Sequence, residues 1–218
     1  MLSSYQRYRL YESLPGLSIW LTFIFSILLS YFKPLTMMYL IIIFDVYWVL
    51  RVLYFSFYIV ISWNRFRLAL KKSWFTMLTN EFPQWQTKIN VVFLPVYNEE
   101  WEVLDTTLKA FVTSSYPVQK LYLVISGEAR QATHWARLQA QIRQHYGATF
   151  ADVLLYTHPD GLVGEIPGKG SNIHSAELQF KEYADQKGWR YENIIISVFD
   201  IDTVVHPEYF AHLTYMYC

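Results

Sequence analysis

The stretch IIISVFDIDTVVHPEYF, residues 194–210, decides how the rest of the chain is read. Its opening, IIISVF, is a short β-branched apolar run, the pattern of a buried strand. The run nevertheless finishes on two carboxylates one residue apart, Asp200 and Asp202. In an extended segment residues i and i+2 point to the same side, so the spacing predicts both acids aimed at one point. Two carboxylates held together repel unless a cation joins them, and a hard divalent ion with oxygen ligands, Mg²⁺ or Mn²⁺, fits that need. A D-x-D pair is also what a solvated turn offers, with an aspartate capping the segment that follows. The spacing alone leaves both readings open.

Working outward, the preceding hundred residues alternate short apolar runs with amphipathic ones. INVVFLP (89–95), KLYLVIS (120–126), DVLLYTH (152–158) and NIIISVFD (193–200) read as strands. Between them, residues 99–114, 131–147 and 171–188 carry apolar residues at helical spacing. Strict alternation of this kind predicts an α/β fold with a mostly parallel, Rossmann-like sheet covered by helices. In such sheets ligands bind beyond the carboxyl ends of the strands. The segments just after the four strands are PVYNE, SGEAR, HPDGLVGEIPGKGSN and DIDT, polar, acidic and glycine-rich in turn. Gathered at one edge, they predict a binding site.

The front of the chain is different in kind. Residues 17–32 are uncharged, and residues 35–63 are interrupted only by Asp45 and Arg51. About 20 apolar residues cross ~30 Å of hydrocarbon, so the two runs predict an amino-terminal transmembrane helical hairpin over residues 1–63. A cleaved signal peptide is the rival reading of the first run, but no small-residue cleavage site follows it and a second run begins at once. Arg7 and Arg9 precede the pair, Arg65, Arg67, Lys71 and Lys72 follow it, and the connecting turn has only Lys33. The positive-inside rule then puts both ends in the cytoplasm, giving a multi-pass protein of the inner cell membrane with its soluble part cytosolic. Asp45 and Arg51 would cost about 2.5–3.5 kcal/mol each at the centre of a span. Either they pair with helices outside this sequence or they reach polar neighbours such as Tyr47 and Tyr54. Residues 64–87 interleave aromatics and cations, which suits a helix lying on membrane lipid; a calmodulin-target-like helix has the same pattern.

Bulk properties exclude some classes. Eighteen Lys and Arg against eighteen Asp and Glu leave no net charge to neutralise phosphates, so no nucleic-acid partner is expected. A single cysteine, Cys218, makes no intrachain disulfide and no cysteine zinc site, in keeping with a reducing compartment. GLVGEIPGKGSN fails as a P-loop: three residues, not four, separate Gly164 from Gly168, and Gly170 stands where Ser or Thr is needed. PVYNEE after the first strand lacks the glycines of a dinucleotide fingerprint, and of a nucleotidyltransferase loop as well.

VVFLPVYNEE, GKGSN and FDIDT, in that order behind membrane spans, resemble the family 2 glycosyltransferases, in particular the membrane-embedded synthases of cellulose, chitin and hyaluronan. The resemblance covers roughly residues 89–217 and implies that residues 88–218 form an incomplete GT-A domain, its donor-binding half. It further implies that Pro95, Tyr97 and Glu99 flank the base and ribose of a UDP- or GDP-linked sugar. Lys169 and Asn172 would lie near the pyrophosphate. Asp200 and Asp202 would hold the divalent ion, with Asp200 also against the nucleotide. Many members of the family end the second strand in an aspartate that contacts the base; here Glu128 would substitute. The family's catalytic base and its Q-x-x-R-W segment lie later than any residue of this sequence, which runs sixteen residues past Asp202, so an amino-terminal fragment is expected. The resemblance therefore implies a metal-dependent, inverting sugar transfer to a glycan or lipid acceptor. The alternative is an inactive, membrane-anchored nucleotide-binding remnant or partner subunit.

Overall fold

The structure, a computed structural model, describes residues 3–218. The chain forms two compact units, Met1–Leu70 and Lys71–Cys218.

The first unit is helical. Helix α1 (Ser4–Phe32) opens on a capping box in which the Ser3 hydroxyl accepts from the Gln6 amide and the Gln6 side chain accepts from the Ser3 amide. Lys33 breaks the helix, and Pro34, its φ already helical, starts α2 (Pro34–Ala69). At 1.5 Å per residue, the 36 residues of α2 run about 54 Å, well beyond the ~30 Å of a hydrocarbon core. Both helices are long and apolar enough to cross a membrane, and no residue of α2 is buried within the protein. An aqueous helix would not leave Phe44, Trp48, Phe55 and Ile59 all exposed. Arg51 lies over the rings of Tyr47 and Phe55, one turn to either side, which gives its charge aromatic neighbours within its own helix.

The second unit is α/β. Its elements are α3 (Trp74–Glu81), β1 (Ile89–Pro95), α4 (Trp101–Val112), β2 (Leu121–Glu128), α5 (Ala132–Tyr146), β3 (Asp152–His158), α6 (Lys169–Gln186), β4 (Ile194–Val198) and α7 (Tyr209–Tyr217). Four strands pair in the order β3-β2-β1-β4, every pair parallel. β1 is central, and Val91 to Leu94 are at most 3 % exposed. Val91, Phe93 and Val124 pack on Ala176, Phe180 and Ala184 of α6. Side chains alternate along a strand, so Gly127, three residues from Val124, faces the opposite side. There Trp135 of α5 presses so close that a Cβ on Gly127 would stand 2.2 Å from its ring. The Trp135 indole donates to Thr157 of β3, tying α5 across two strands. With α6 on one face and α5 on the other, β1 and β2 are covered on both sides, whereas β4, at the edge, is not the buried strand expected and leaves Ile196 and Val198 exposed.

Residues 64–87, expected to lie on membrane lipid, divide between the two units. α2 continues to Ala69, and the aromatics beyond it belong to the α/β unit. Trp74, Leu78 and Trp85 are buried. Trp74 stacks on His212 of α7 at 4.0 Å, Trp85 packs edge-on to Tyr116, and the Phe75 amide donates to the Glu208 carboxylate. An amphipathic stripe specifies that one face is covered, not what covers it, and Trp74, Leu78 and Trp85 are covered by protein.

Candidate functional site

The carboxyl ends of β1, β2 and β4 and the amino end of α6 enclose a cleft of about 680 Å³. Pro95, Tyr97, Glu99, Glu128, Lys169, Asn172, Asp200 and Asp202 all line it, joined by Val96, Val103, Arg130, Gly168 and Ile201. The segments after all four strands thus meet in one place, as a parallel sheet with right-handed crossovers dictates.

At one end stands the acidic turn. β4 stops at Val198, and Asp200–Thr203 form a turn closed by the Thr203 amide donating to the Asp200 carbonyl at 3.0 Å. The expected extended geometry at the two aspartates is therefore corrected: they stand in a turn. Ile201 is buried between them, and both carboxylates are left at the surface of the cleft. Two bonds fix the turn: the Phe199 amide donates to the Phe93 carbonyl at 3.0 Å, and the fully buried Thr107 hydroxyl of α4 donates to the Ile201 carbonyl at 2.6 Å. Lys169 forms an ion pair with Asp200.

α6 begins at Lys169, two residues earlier than its periodicity predicts, because Ser171 caps the turn through the Gly168 amide and carbonyl. Its amino terminus, with the positive end of its dipole, therefore faces the cleft. Asn172 is only 2 % exposed, and its amide nitrogen donates to the Ser126 carbonyl at 3.1 Å and reaches the Val96 carbonyl at 3.5 Å. These bonds fasten α6 to the ends of β1 and β2. Its Oδ1 is buried and has no partner among the described residues.

At the other end, Glu99 turns its carboxylate back on the amides of Tyr97 and Asn98, at 2.7 and 3.1 Å, and so shapes the loop after β1. Tyr97 stays half exposed, with the Arg130 guanidinium 4.6 Å over its ring. Glu128 is committed rather than free. It is 4 % exposed, accepts from His158 Nδ1 at 3.0 Å and lies 3.5 Å from Arg130 Nε. His158 Nε2 in turn meets Glu165 at 3.2 Å. Burial works to lower the His158 pKa, but the hydrogen bonds and charges of Glu128 and Glu165 outweigh it and hold the imidazole above its ordinary value. Arg130, His158 and Glu165 were not singled out from the sequence. The available signal was position alone: SGEAR and HPDGLVGE each follow a strand, and Glu128 and His158 occupy paired positions on β2 and β3.

No group of three or more His, Cys, Asp or Glu converges among the described residues in a way that would hold a metal by protein ligands alone. Mg²⁺ asks for less, since one or two carboxylates suffice when waters and phosphate oxygens complete the shell. Asp200 and Asp202, exposed on either side of buried Ile201, fit that kind of ion. A scan of protein-family models finds none that matches this chain, and no curated protein matches it in sequence.

Proposed function

We propose that this chain is a membrane-bound glycosyltransferase that takes a sugar from a nucleotide-sugar donor and passes it to a glycan or lipid acceptor, with inversion. One observation carries the reading. A single cleft holds a flat aromatic end, Tyr97 with Arg130, and an end suited to phosphate, where Lys169, the start of α6 and two exposed acids come together. Those are the two chemistries of a nucleoside diphosphate. The amino-terminal helices supply the membrane anchor, and the flanking cations favour a multi-pass arrangement with the cleft on the cytosolic side.

In the proposed reaction the bond from the sugar's anomeric carbon to the phosphate oxygen breaks while an acceptor hydroxyl bonds to the opposite face. The hydroxyl proton leaves to a base, and the nucleoside diphosphate departs with the bonding pair. A divalent ion on Asp200 and Asp202 would supply positive charge against the leaving diphosphate. Lys169 and the α6 amides act on the same charge from the protein side. Asn172 keeps that helix end in place, and Tyr97 offers the base a surface to stack on.

The test is calorimetric titration of the full-length protein in nanodiscs with a panel of nucleoside diphosphates, with and without Mn²⁺. At least one binds in a Mn²⁺-dependent manner, and Asp202→Asn loses that dependence while helix content by circular dichroism is unchanged. The absence of Mn²⁺-dependent binding by any of them would overturn the proposal. Once binding is established, acceptor-dependent release of the diphosphate separates an enzyme from an inactive nucleotide-binding subunit.

A further inference from the structure

The donor-binding reading leaves one construction unexplained, the array behind Arg130. Glu128 and His158 are each 4 % exposed, and with Glu165 and Arg130 they form a chain of alternating charge: Glu165 to His158, His158 to Glu128, Glu128 to Arg130. The array ends at the guanidinium. Arg130 Nε faces Glu128, the plane lies over Tyr97, and the side chain is one-third exposed where it lines the cleft. Its two terminal nitrogens have no hydrogen-bond partner among the described residues. A planar fork of donors drawn to Glu128 at its root by an ion pair at 3.5 Å, laid over Tyr97 and open at its tip suits a flat partner with two acceptors side by side.

Position says which part of a nucleotide meets it. Arg130 follows β2 and Asp200 follows β4, with β1 between them. Two strand spacings make roughly 10 Å, a distance a nucleoside can bridge. With phosphates at the Lys169 end, the base falls at Arg130. Guanine carries O6 and N7 as adjacent acceptors on one edge, the pair an arginine fork engages best. Adenine sets an amino donor beside N7, and uracil's two carbonyls are separated by an N–H donor. Glu128, the carboxylate expected to contact the base, is already engaged by His158 and turned toward Arg130.

We infer that Arg130, held by Glu128 and Tyr97, reads the base of the donor and selects guanine nucleotides. The inference rests on the donor-site reading above. Full-length protein in nanodiscs with Mn²⁺ is titrated with GDP, UDP and ADP. GDP binds tightest, by roughly tenfold or more. Arg130→Met, which keeps an apolar stem against Tyr97, erases most of that preference by weakening GDP more than UDP or ADP. Arg130→Lys, which keeps the charge but not the fork, erases the preference as well. Three results would overturn the inference: UDP or ADP binding as tightly as GDP to the wild type, a GDP preference surviving Arg130→Lys, or Arg130→Met weakening all three equally, which would make Arg130 a phosphate contact. If Arg130→Met loses its fold, the wild-type order and the lysine variant still decide. Failure of every diphosphate to bind the wild type removes the donor-site reading, whereas binding without a guanine preference removes this inference alone.

Discussion

The two ends of the cleft are built on opposite principles. At the Glu128 end Glu128 and His158 are buried, Arg130 and Glu165 are partly so, and each charge is matched by another. At the Asp200 end, Lys169 and Asp200 are 49 % and 69 % exposed, and among the described residues their side chains pair with one another alone. Ion pairs in solvent contribute little and exchange readily, whereas a buried charge deprived of its partner is costly. The comparison teaches that one end is preset and the other is free to change partners. The proposed donor site would need that division, to orient a rigid base and then release a charged leaving group.

The largest effect tests the preset end. Glu128→Ala leaves His158 buried beside Arg130 without the carboxylate they share, and it lowers the unfolding free energy of the α/β unit by about 3–5 kcal/mol. Denaturant titration followed by tryptophan fluorescence reads it, since Trp135 and its neighbours lie in that unit. A loss under about 1 kcal/mol would mean the array is no more committed than a surface pair.

A smaller effect carries a sign in pH. The His158 pKa is raised in the folded protein, so its contribution to stability is complete below the unfolded value near 6.5 and is lost as pH climbs through the folded value. Glu165→Gln removes one of the two acids responsible. The stability of the wild type over this variant should therefore be greatest near pH 6, at about 1 kcal/mol or less, and shrink as the pH rises. The comparison must be made by difference, because His212, its pKa lowered by burial and by Lys72, pulls the absolute curve the other way. A difference that grows with pH would contradict the assigned protonation.

The same contrast separates what a sequence can show from what it cannot. Strand composition identified β1 and β3 to the residue: β1 is a buried, mostly apolar run, and β3, a half-buried edge strand, has its apolar residues bounded by Asp152 and His158. The convergence of PVYNE, GKGSN and DIDT followed from where such strands end. Arg130, His158 and Glu165 were not legible, because the bond from Glu128 to His158 depends on the register of β2 against β3, which the chain does not spell out locally. The start of α6 was misplaced because Gly168 and Gly170 look like a loop until the Ser171 cap is seen. The covering of α3 by α7 was missed because the partner lies more than a hundred residues away.

The smallest stability effect is the most informative about the exchangeable end. Lys169→Met removes an exposed ion pair and should shift unfolding by no more than about 1 kcal/mol. Its consequence for binding is larger, because in the free protein the ammonium occupies the carboxylate that the proposed ion requires. Mn²⁺ alone must then compete with Lys169 for Asp200, and a diphosphate that draws Lys169 to itself releases that oxygen. Ion and nucleotide would each strengthen the other's binding by the same factor, as linkage demands. In Lys169→Met, Mn²⁺ without nucleotide binds more tightly than to the wild type, nucleotide binds more weakly, and the coupling between them falls. Calorimetric titration of Mn²⁺ in the presence and absence of nucleotide measures all three. If Mn²⁺ alone binds the variant no better than the wild type, Lys169 does not guard Asp200, and the two ends of the cleft differ in exposure without differing in task.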